Sequence, residues 1–343
     1  MFYYAGFNTS RLFSTDENIT FIVNPFTKIP FPGITDFQIG WGFFLLSKGE
    51  EIYICKNSAE DSKDSITQPI RIPEKPLDSF RQAAIGKDSI IILSKDNEIW
   101  RYKIYENSWK KVTNFIPSNS ESENEYPVKV SQGGCTVALT NLGRVFNVPT
   151  LVDMPKRVRF MDIACGFDHT ILLAGNGDVY SMGTGTRGQL GHDDLEDSDD
   201  PRLIEALAGI KVVQISAAGW HSAVITDQGD LYTWGWNTQG ELGLPNRDSK
   251  VIAVPSLVDL MNEQDESIEV FVKKVQCGNT FTVCMADDGT LWGCGSNKYG
   301  QLGQPRESLS SSSKFVRLTV PLKAETIEDF NCDEWGTVLK TTE

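Results

Sequence analysis

Three constellations in this 343-residue sequence are of types that do chemistry. His169 and His221 each precede a hydroxyl residue, Thr170 and Ser222, as a general base beside a nucleophile would. Gly183-Thr184-Gly185-Thr186-Arg187-Gly188 has the spacing of the turn that cradles a dinucleotide pyrophosphate. Asp193-Asp194-Leu195-Glu196-Asp197-Ser198-Asp199-Asp200 sets six carboxylates in eight positions, a density suited to a cation or to a basic partner.

The sequence around these groups recurs. Cys165-Gly166-Phe167-Asp168-His169-Thr170 leads into Ile171-Leu172-Leu173, a turn at Gly175-Asn176-Gly177-Asp178, a second run Val179-Tyr180-Ser181-Met182, then Gly183 and Gly188-Gln189-Leu190-Gly191. Adding 52 to these numbers gives His221, Gly229, Tyr232, Trp234, Gly235 and Gly240-Glu241-Leu242-Gly243. Adding 60 more gives Phe281, Gly289, Trp292, Gly295 and Gly300-Gln301-Leu302-Gly303. A motif that returns in register is architecture before it is chemistry.

That register disposes of the three candidates in turn. The histidine position holds Phe43, Ser89, Cys135, Phe281 and Gly336 in the other units, so His169 and His221 read as side chains tying a strand to its neighbour. His192, alone in the acidic run, reads as solvated. The glycine hexad is followed by Gln189-Leu190-Gly191-His192 and then acid, where a nucleotide site needs a helix N-terminus. Its counterparts, Gly235 to Gly240 and Gly295 to Gly300, lack the middle glycine, so it reads as a repeat turn. The acidic run has neither the glycine nor the terminal glutamate of a calcium loop and reads as a solvated or docking loop, like the Ser118–Glu125 tract. No two of the seven cysteines are spaced C-x-x-C, which leaves no zinc motif. The expectation is a chain with no catalytic residues, no metal and no cofactor: not an enzyme.

Two short apolar runs joined by Asn-Gly or Asp-Gly chemistry make a β-hairpin. The glycines at 177, 183, 188 and 191, at 229, 235, 240 and 243, and at 289, 295, 300 and 303 then serve sharp turns or close backbone approach, as structural repeat positions (Gly177, Gly183, Gly188, Gly191, Gly229, Gly235, Gly240, Gly243, Gly289, Gly295, Gly300, Gly303). Three worn copies precede the clear ones, around Gly40-Trp41-Gly42, Gly86-Lys87-Asp88 and Gly133-Gly134-Cys135. A seventh is split between Tyr3-Tyr4-Ala5-Gly6, which resembles a closing strand, and Cys332 to Thr337, which supplies an opening strand. Seven units over 343 residues average 49 each, and a repeat divided between the termini is what ring closure demands. The sequence therefore predicts an all-β, seven-bladed β-propeller over residues 1–343. Clear repeats occupy 163–303, degenerate ones 39–146, and a blade closed by N- and C-terminal strands takes 1–15 with 328–343.

Composition adds exclusions. Hydrophobic residues are 40% of the chain, ample for a core, yet no run approaches the roughly 18–20 residues of a membrane span. The start lacks the basic and apolar regions of a signal peptide, so the chain is expected to be neither secreted nor membrane-bound. A net charge of −14 argues against direct nucleic-acid binding, which depends on Lys and Arg displacing counterions.

The Cys-Gly-x-x-His-Thr, Gly-Asp-x-Tyr-x-x-Gly and Gly-x-Leu-Gly elements resemble the repeat of the regulator-of-chromosome-condensation family of seven-bladed propellers. The stretch from Pro201 to Leu207, with Gly219-Trp220-His221-Ser222 and Tyr232 to Asn237, is similar to single-propeller members. That resemblance implies a non-catalytic scaffold, nuclear with a share in the cytoplasm, pairing with a JmjC-domain 2-oxoglutarate oxygenase in chromatin regulation and reaching histones only indirectly. It also implies an alternative, guanine-nucleotide exchange on a small GTPase, as in the founding member. The founding member's basic N-terminal tail is not matched here, which sets direct nucleosome binding aside.

For a scaffold, features unique to one repeat are the candidate contacts. Trp220 stands where the first clear repeat has Asp168, and Trp236 where the others have Thr184 and Ser296. Interface cores favour tryptophan. The acidic run, Asp193, Asp194, Glu196, Asp197, Asp199 and Asp200, joins them. So does Arg144, which precedes the irregular Val145–Pro149 segment and reads as a solvated turn residue or, with an oxygenase as partner, as a side chain entering its pocket.

Overall fold

The computed structural model describes residues 1–10, 12–14, 20–56, 69–76, 79–113, 125–245, 249–262 and 264–342. The Ser118–Glu125 tract lies outside these residues except for Glu125. The apolar runs form antiparallel sheets, seven in all, arranged as blades. In chain order they cover 36–56, 80–112, 127–151, 160–203, 212–257 and 272–317, and the seventh joins 327–341 to 2–28. We number them one to seven.

In each blade the first strand lies nearest the propeller axis, and neighbouring first strands pack on one another around it. The second strand is the apolar run. His169–Ala174, His221–Thr226 and Phe281–Ala286 are buried at every position, because a blade is covered on both faces by its neighbours. This is why the runs are continuous and do not alternate. The core is accordingly divided into seven clusters, one between each pair of adjacent blades.

A β-bulge recurs near the start of the first strand in blades two to seven, seen as a register shift at Phe80/Gln82, Pro127/Lys129, Phe160/Asp162, Val212/Gln214, Val272/Lys274 and Ile327/Asp329. The extra residue re-aims the side chain that follows it, and several of those side chains reach the next blade. Gln82 exchanges two hydrogen bonds with the Val130 backbone at 2.9 and 3.0 Å, and Gln214 does the same with Val275 at 3.1 and 3.0 Å. Lys129 pairs with Asp162, and Lys274 with Asp329.

Closure uses both ends of the chain, with two strands from each. Ile327–Asp333 and Gly336–Thr341 supply the inner pair, Phe2–Phe7 and Ile22–Lys28 the outer pair, in the order Ile22–Lys28, Phe2–Phe7, Gly336–Thr341, Ile327–Asp333. The closing blade thus extends beyond residue 15 to Lys28, and the tail gives a second strand as well as the opening one. Tyr4, fully buried, packs against Phe13, Phe37 and Phe44 across the seam to blade one. The Asp333 side chain accepts the Ile39 N–H at 3.0 Å. In blade three the fourth strand shrinks to Thr150–Leu151, the structural form of the irregular segment after Arg144.

Candidate protein-binding face

His169 Nε2 lies 2.8 Å from Ser222 Oγ, and His221 Nε2 lies 2.8 Å from Thr282 Oγ1, so each histidine joins its blade to the next. Thr282 Oγ1 donates its proton to the Glu241 carbonyl at 2.7 Å, which leaves His221 Nε2–H as the donor of the pair. Burial holds both imidazoles at a pKa of about 3. Buried, and bonded to the next blade through Nε2, they are weak bases enclosed away from any substrate. Ser222 and Thr282 continue the tie towards Gln189 and Glu241 of the closing tetrapeptides, and Trp234 Nε1 donates to the Gln189 carbonyl at 2.9 Å. Within those tetrapeptides one side-chain oxygen closes the turn each time: Gln189 accepts from Arg187 N at 2.8 Å, Glu241 from Gln239 N at 2.6 Å, and Gln301 from Tyr299 N at 2.8 Å. Gly183, Gly235 and Gly295 have φ of 109°, 109° and 90°, and a Cβ at any of them would meet a carbonyl oxygen at 2.5 Å. No other residue fits there.

His192 is not solvated. It is half-buried, its Nε2 is 2.9 Å from Ser181 Oγ, and burial lowers its pKa to about 4.

The antiparallel blades place two kinds of connection at opposite ends of the propeller. One end carries the turns from first to second strand together with the connections from third to fourth. The other carries the turns from second to third. Trp220, Trp236 and the acidic run belong to the first end. Arg144, beside the turn of Thr140–Arg144, belongs to the second. There its guanidinium makes a bidentate pair with Glu125, whose side chain is wholly buried, and lies 5.7 Å from the Phe146 ring centre. Arg144 is therefore not brought together with the tryptophans, and its side chain holds the start of its own blade.

At the first end the half-buried aromatic side chains are continuous. Trp41 of blade one meets Phe167 of blade four across the mouth of the ring, with ring centres 6.0 Å apart. Phe167 meets Trp220 edge-on at 5.1 Å, and Trp41 meets Trp335 edge-on at 5.3 Å. Trp335 meets Tyr299 at 5.5 Å, and Tyr299 meets Phe7 at 5.1 Å. Arg187 sits 4.0 Å from the Trp220 ring centre and 5.6 Å from that of Trp236. Trp220 Nε1 donates to Asp168 Oδ2 at 3.1 Å, so the residue that replaces Asp168 in the next repeat binds Asp168 itself. Burial, with the charge of Asp333, raises the Glu334 carboxyl beside Trp335 to about 7.

The acidic run forms the rim beside this aromatic surface and packs onto blade five through Asp193 N, which donates to the Ala253 carbonyl at 2.9 Å. Its carboxylates divide into two sets. Asp194 binds Arg202 at 2.7 Å and Asp197 accepts Gly185 N at 2.8 Å, so both shape the loop. Asp193, Glu196, Asp199 and Asp200 are exposed.

Trp41, Phe167, Trp335, Tyr299 and Phe7 extend the site well beyond the two tryptophans expected from the sequence. A signal was present. Two residues separate the histidine position from the preceding glycine, and four of the seven repeats carry an aromatic at one or the other.

Comparison with known proteins agrees with this architecture. Two family models, both described as the regulator of chromosome condensation (RCC1) repeat, match residues 176–225, 228–285 and 288–332, and residues 162–189, 212–241 and 272–301. The protein named "RCC1 domain-containing protein 1" is 28% identical in Mus musculus over 68% of this chain and 69% of its own, and 30% identical in Homo sapiens over 55% of this chain and 58% of its own. The human WBSCR16 structure superposes over all of both chains with a TM-score of 0.80 at 18% identity. Prp20p from Saccharomyces cerevisiae, whose structure was described with its binding to Gsp1p and histones, superposes over 98% of this chain and 90% of its own with a TM-score of 0.75 at 19% identity. The matched repeats, their register and the closed ring of seven blades show a propeller that carries regulator of chromosome condensation (RCC1) repeats.

Proposed function

We propose that the chain is a non-catalytic interaction propeller that holds a protein partner on its aromatic end, and that the partner is a JmjC-domain 2-oxoglutarate oxygenase acting on chromatin in the nucleus. The observation that carries the binding face is the unbroken series from Phe7 through Tyr299, Trp335, Trp41 and Phe167 to Trp220, all half-buried at one end of the ring. Rings left part-open to water gain most when a second surface covers them, and such anchors dominate association energies. The oxygenase as partner rests on likeness to single-propeller relatives. The acidic rim suits steering of a basic region on the partner.

The test is surface plasmon resonance between a JmjC-domain oxygenase of the same organism and the chain, comparing wild type with Trp41→Ala and Trp220→Ala. Saturable binding that weakens at least about tenfold in each variant, as expected for anchors, supports the reading. No binding to wild type removes the oxygenase, and binding indifferent to both variants removes the face. A parallel arm mixes the chain with a Ran-type GTPase loaded with labelled GDP. Release at the spontaneous rate is expected, and accelerated release would establish nucleotide exchange instead.

A further inference from the structure

Among the described residues no ion pair joins the Arg187 guanidinium to a carboxylate, in a chain of net charge −14. Elsewhere among the described residues Lys129, Arg144, Arg202, Lys274 and Lys340 each hold a carboxylate. Three acids at the same end of the ring hold other partners. Asp168 takes the Trp220 N–H, Asp194 takes Arg202, and Asp197 takes the Gly185 N–H. Arg187 itself is half-buried, its backbone N–H is fixed on Gln189 Oε1 at 2.8 Å, and its guanidinium is held against Trp220 and Trp236. Rings take up the flat face of a guanidinium but leave its edge, where the N–H donors lie in a fork matched to carboxylate geometry. Lys87 at 5.5 Å from Trp41 and Lys298 at 5.5 Å from Tyr299 repeat the theme on the same surface.

We propose that Arg187 receives a side-chain carboxylate from an acidic segment of the partner protein, with Trp220 and Trp236 fixing the guanidinium plane. Lys87 and Lys298 draw the rest of that segment across the aromatic surface, and Phe167 offers an apolar neighbour its face. The acidic rim repels the segment from the outer edge and so sets its direction. The inference rests on the assignment of this end as the binding face and adds the chemistry of what is bound there.

The probe is an acetylated, amidated hexaglutamate peptide, titrated into the full chain at low salt while the Arg187 Nε–H and the tryptophan indole N–H resonances are followed by NMR. Saturable shifts of Arg187, Trp220 and Trp236 are expected. Arg187→Gln should weaken binding about tenfold, the scale of one charge-assisted pair. Arg187→Lys, which keeps the charge and loses the fork, should weaken it less. Hexalysine should leave these signals unmoved. Equal hexaglutamate affinity in wild type and Arg187→Gln, or no shift at all, overturns the proposal. Saturation by inorganic phosphate where hexaglutamate gives none overturns it in favour of a phosphate group. Partner binding that falls with Trp220→Ala yet ignores Arg187→Gln keeps the binding face and removes the carboxylate role.

Discussion

Glu241 occupies the position that Gln189 and Gln301 hold in the neighbouring repeats, and replacing it by glutamine is the sharpest test of how these turns are built. The side chain is 1% exposed, and burial raises its carboxyl to about 7 although backbone N–H groups around the turn oppose the rise. With an ordinary value of 4.5 for the unfolded chain, the folded form holds an extra proton between about pH 4.5 and 7. Wild-type stability from this group is therefore fully present below pH 4.5 and lost as pH rises through 7. The gap corresponds to about 3 kcal/mol. Glu241→Gln cannot titrate. Against it stands an amide nitrogen with no partner, as at Gln189 Nε2 and Gln301 Nε2, at a cost of about 1–3 kcal/mol. The variant should thus equal or exceed wild type at pH 8 and fall below it at pH 5, the difference moving by about 3 kcal/mol between them. Urea unfolding of both proteins at four pH values measures this directly. Parallel stability curves would refute the reasoning, because they would mean that Glu241 titrates alike folded and unfolded.

Four further outcomes follow from the geometry. His221→Ala should cost about 1–2 kcal/mol in the melting curve through the lost Thr282 tie, with partner binding by the folded fraction unchanged; lost binding at an unchanged melting temperature would place His221 in the interface. Deleting residues 1–8 removes the third strand of the closing blade with Tyr4 at the seam, so the melting temperature should drop far more than for an ordinary terminal trim, and an unchanged value would mean the ring is sealed elsewhere. Trp236→Ala should speed partner dissociation, by about 2 kcal/mol for an anchor. Neutralising only Asp193, Glu196, Asp199 and Asp200 should slow association and flatten its salt dependence; surface plasmon resonance separates the two effects, and no change in either rate would remove the rim from the site.

The repeat register was enough to read the ring, because glycines at fixed spacing are demanded by backbone crossings such as Gly183 against Asp168. It also reads His169 and His221 as ties between blades, and each lies 2.8 Å from a hydroxyl of the next blade, since a role that serves each blade recurs with the blade. The two-strand contribution from each end was harder to see. Ile22–Lys28 carries Pro25 and three polar residues and shows no alternation that marks it as a strand until Phe2–Phe7 is in place to pair with it. The aromatic surface escaped for a related reason. Trp41 and Phe167 stand one residue earlier in the turn than Trp220 and Trp335, so column-by-column comparison scatters side chains that the ring brings together. Arg144 lies at the opposite end from the tryptophans because its turn joins the second strand to the third, a placement that the order along the chain does not display. Its partner Glu125 is 19 residues away in a different part of the blade.

The closing blade sets a timetable for synthesis. Met1 N donates to the Thr341 carbonyl at 2.8 Å across 340 residues, and Ile39 waits for Asp333. At about 5–20 residues per second on the ribosome, the first strand remains without its inner neighbour for roughly 15–70 seconds. Throughout that interval Phe2–Phe7, paired with Ile22–Lys28 on one side, presents to the cell the edge that Gly336–Thr341 will cover. The nascent chain then depends on being shielded, and a message broken shortly before the codon for Ile327 yields six formed blades and an open seam. Quality control would meet such a product as an exposed strand edge, so yield in expression should respond to chaperone supply more steeply than the stability of the finished ring suggests.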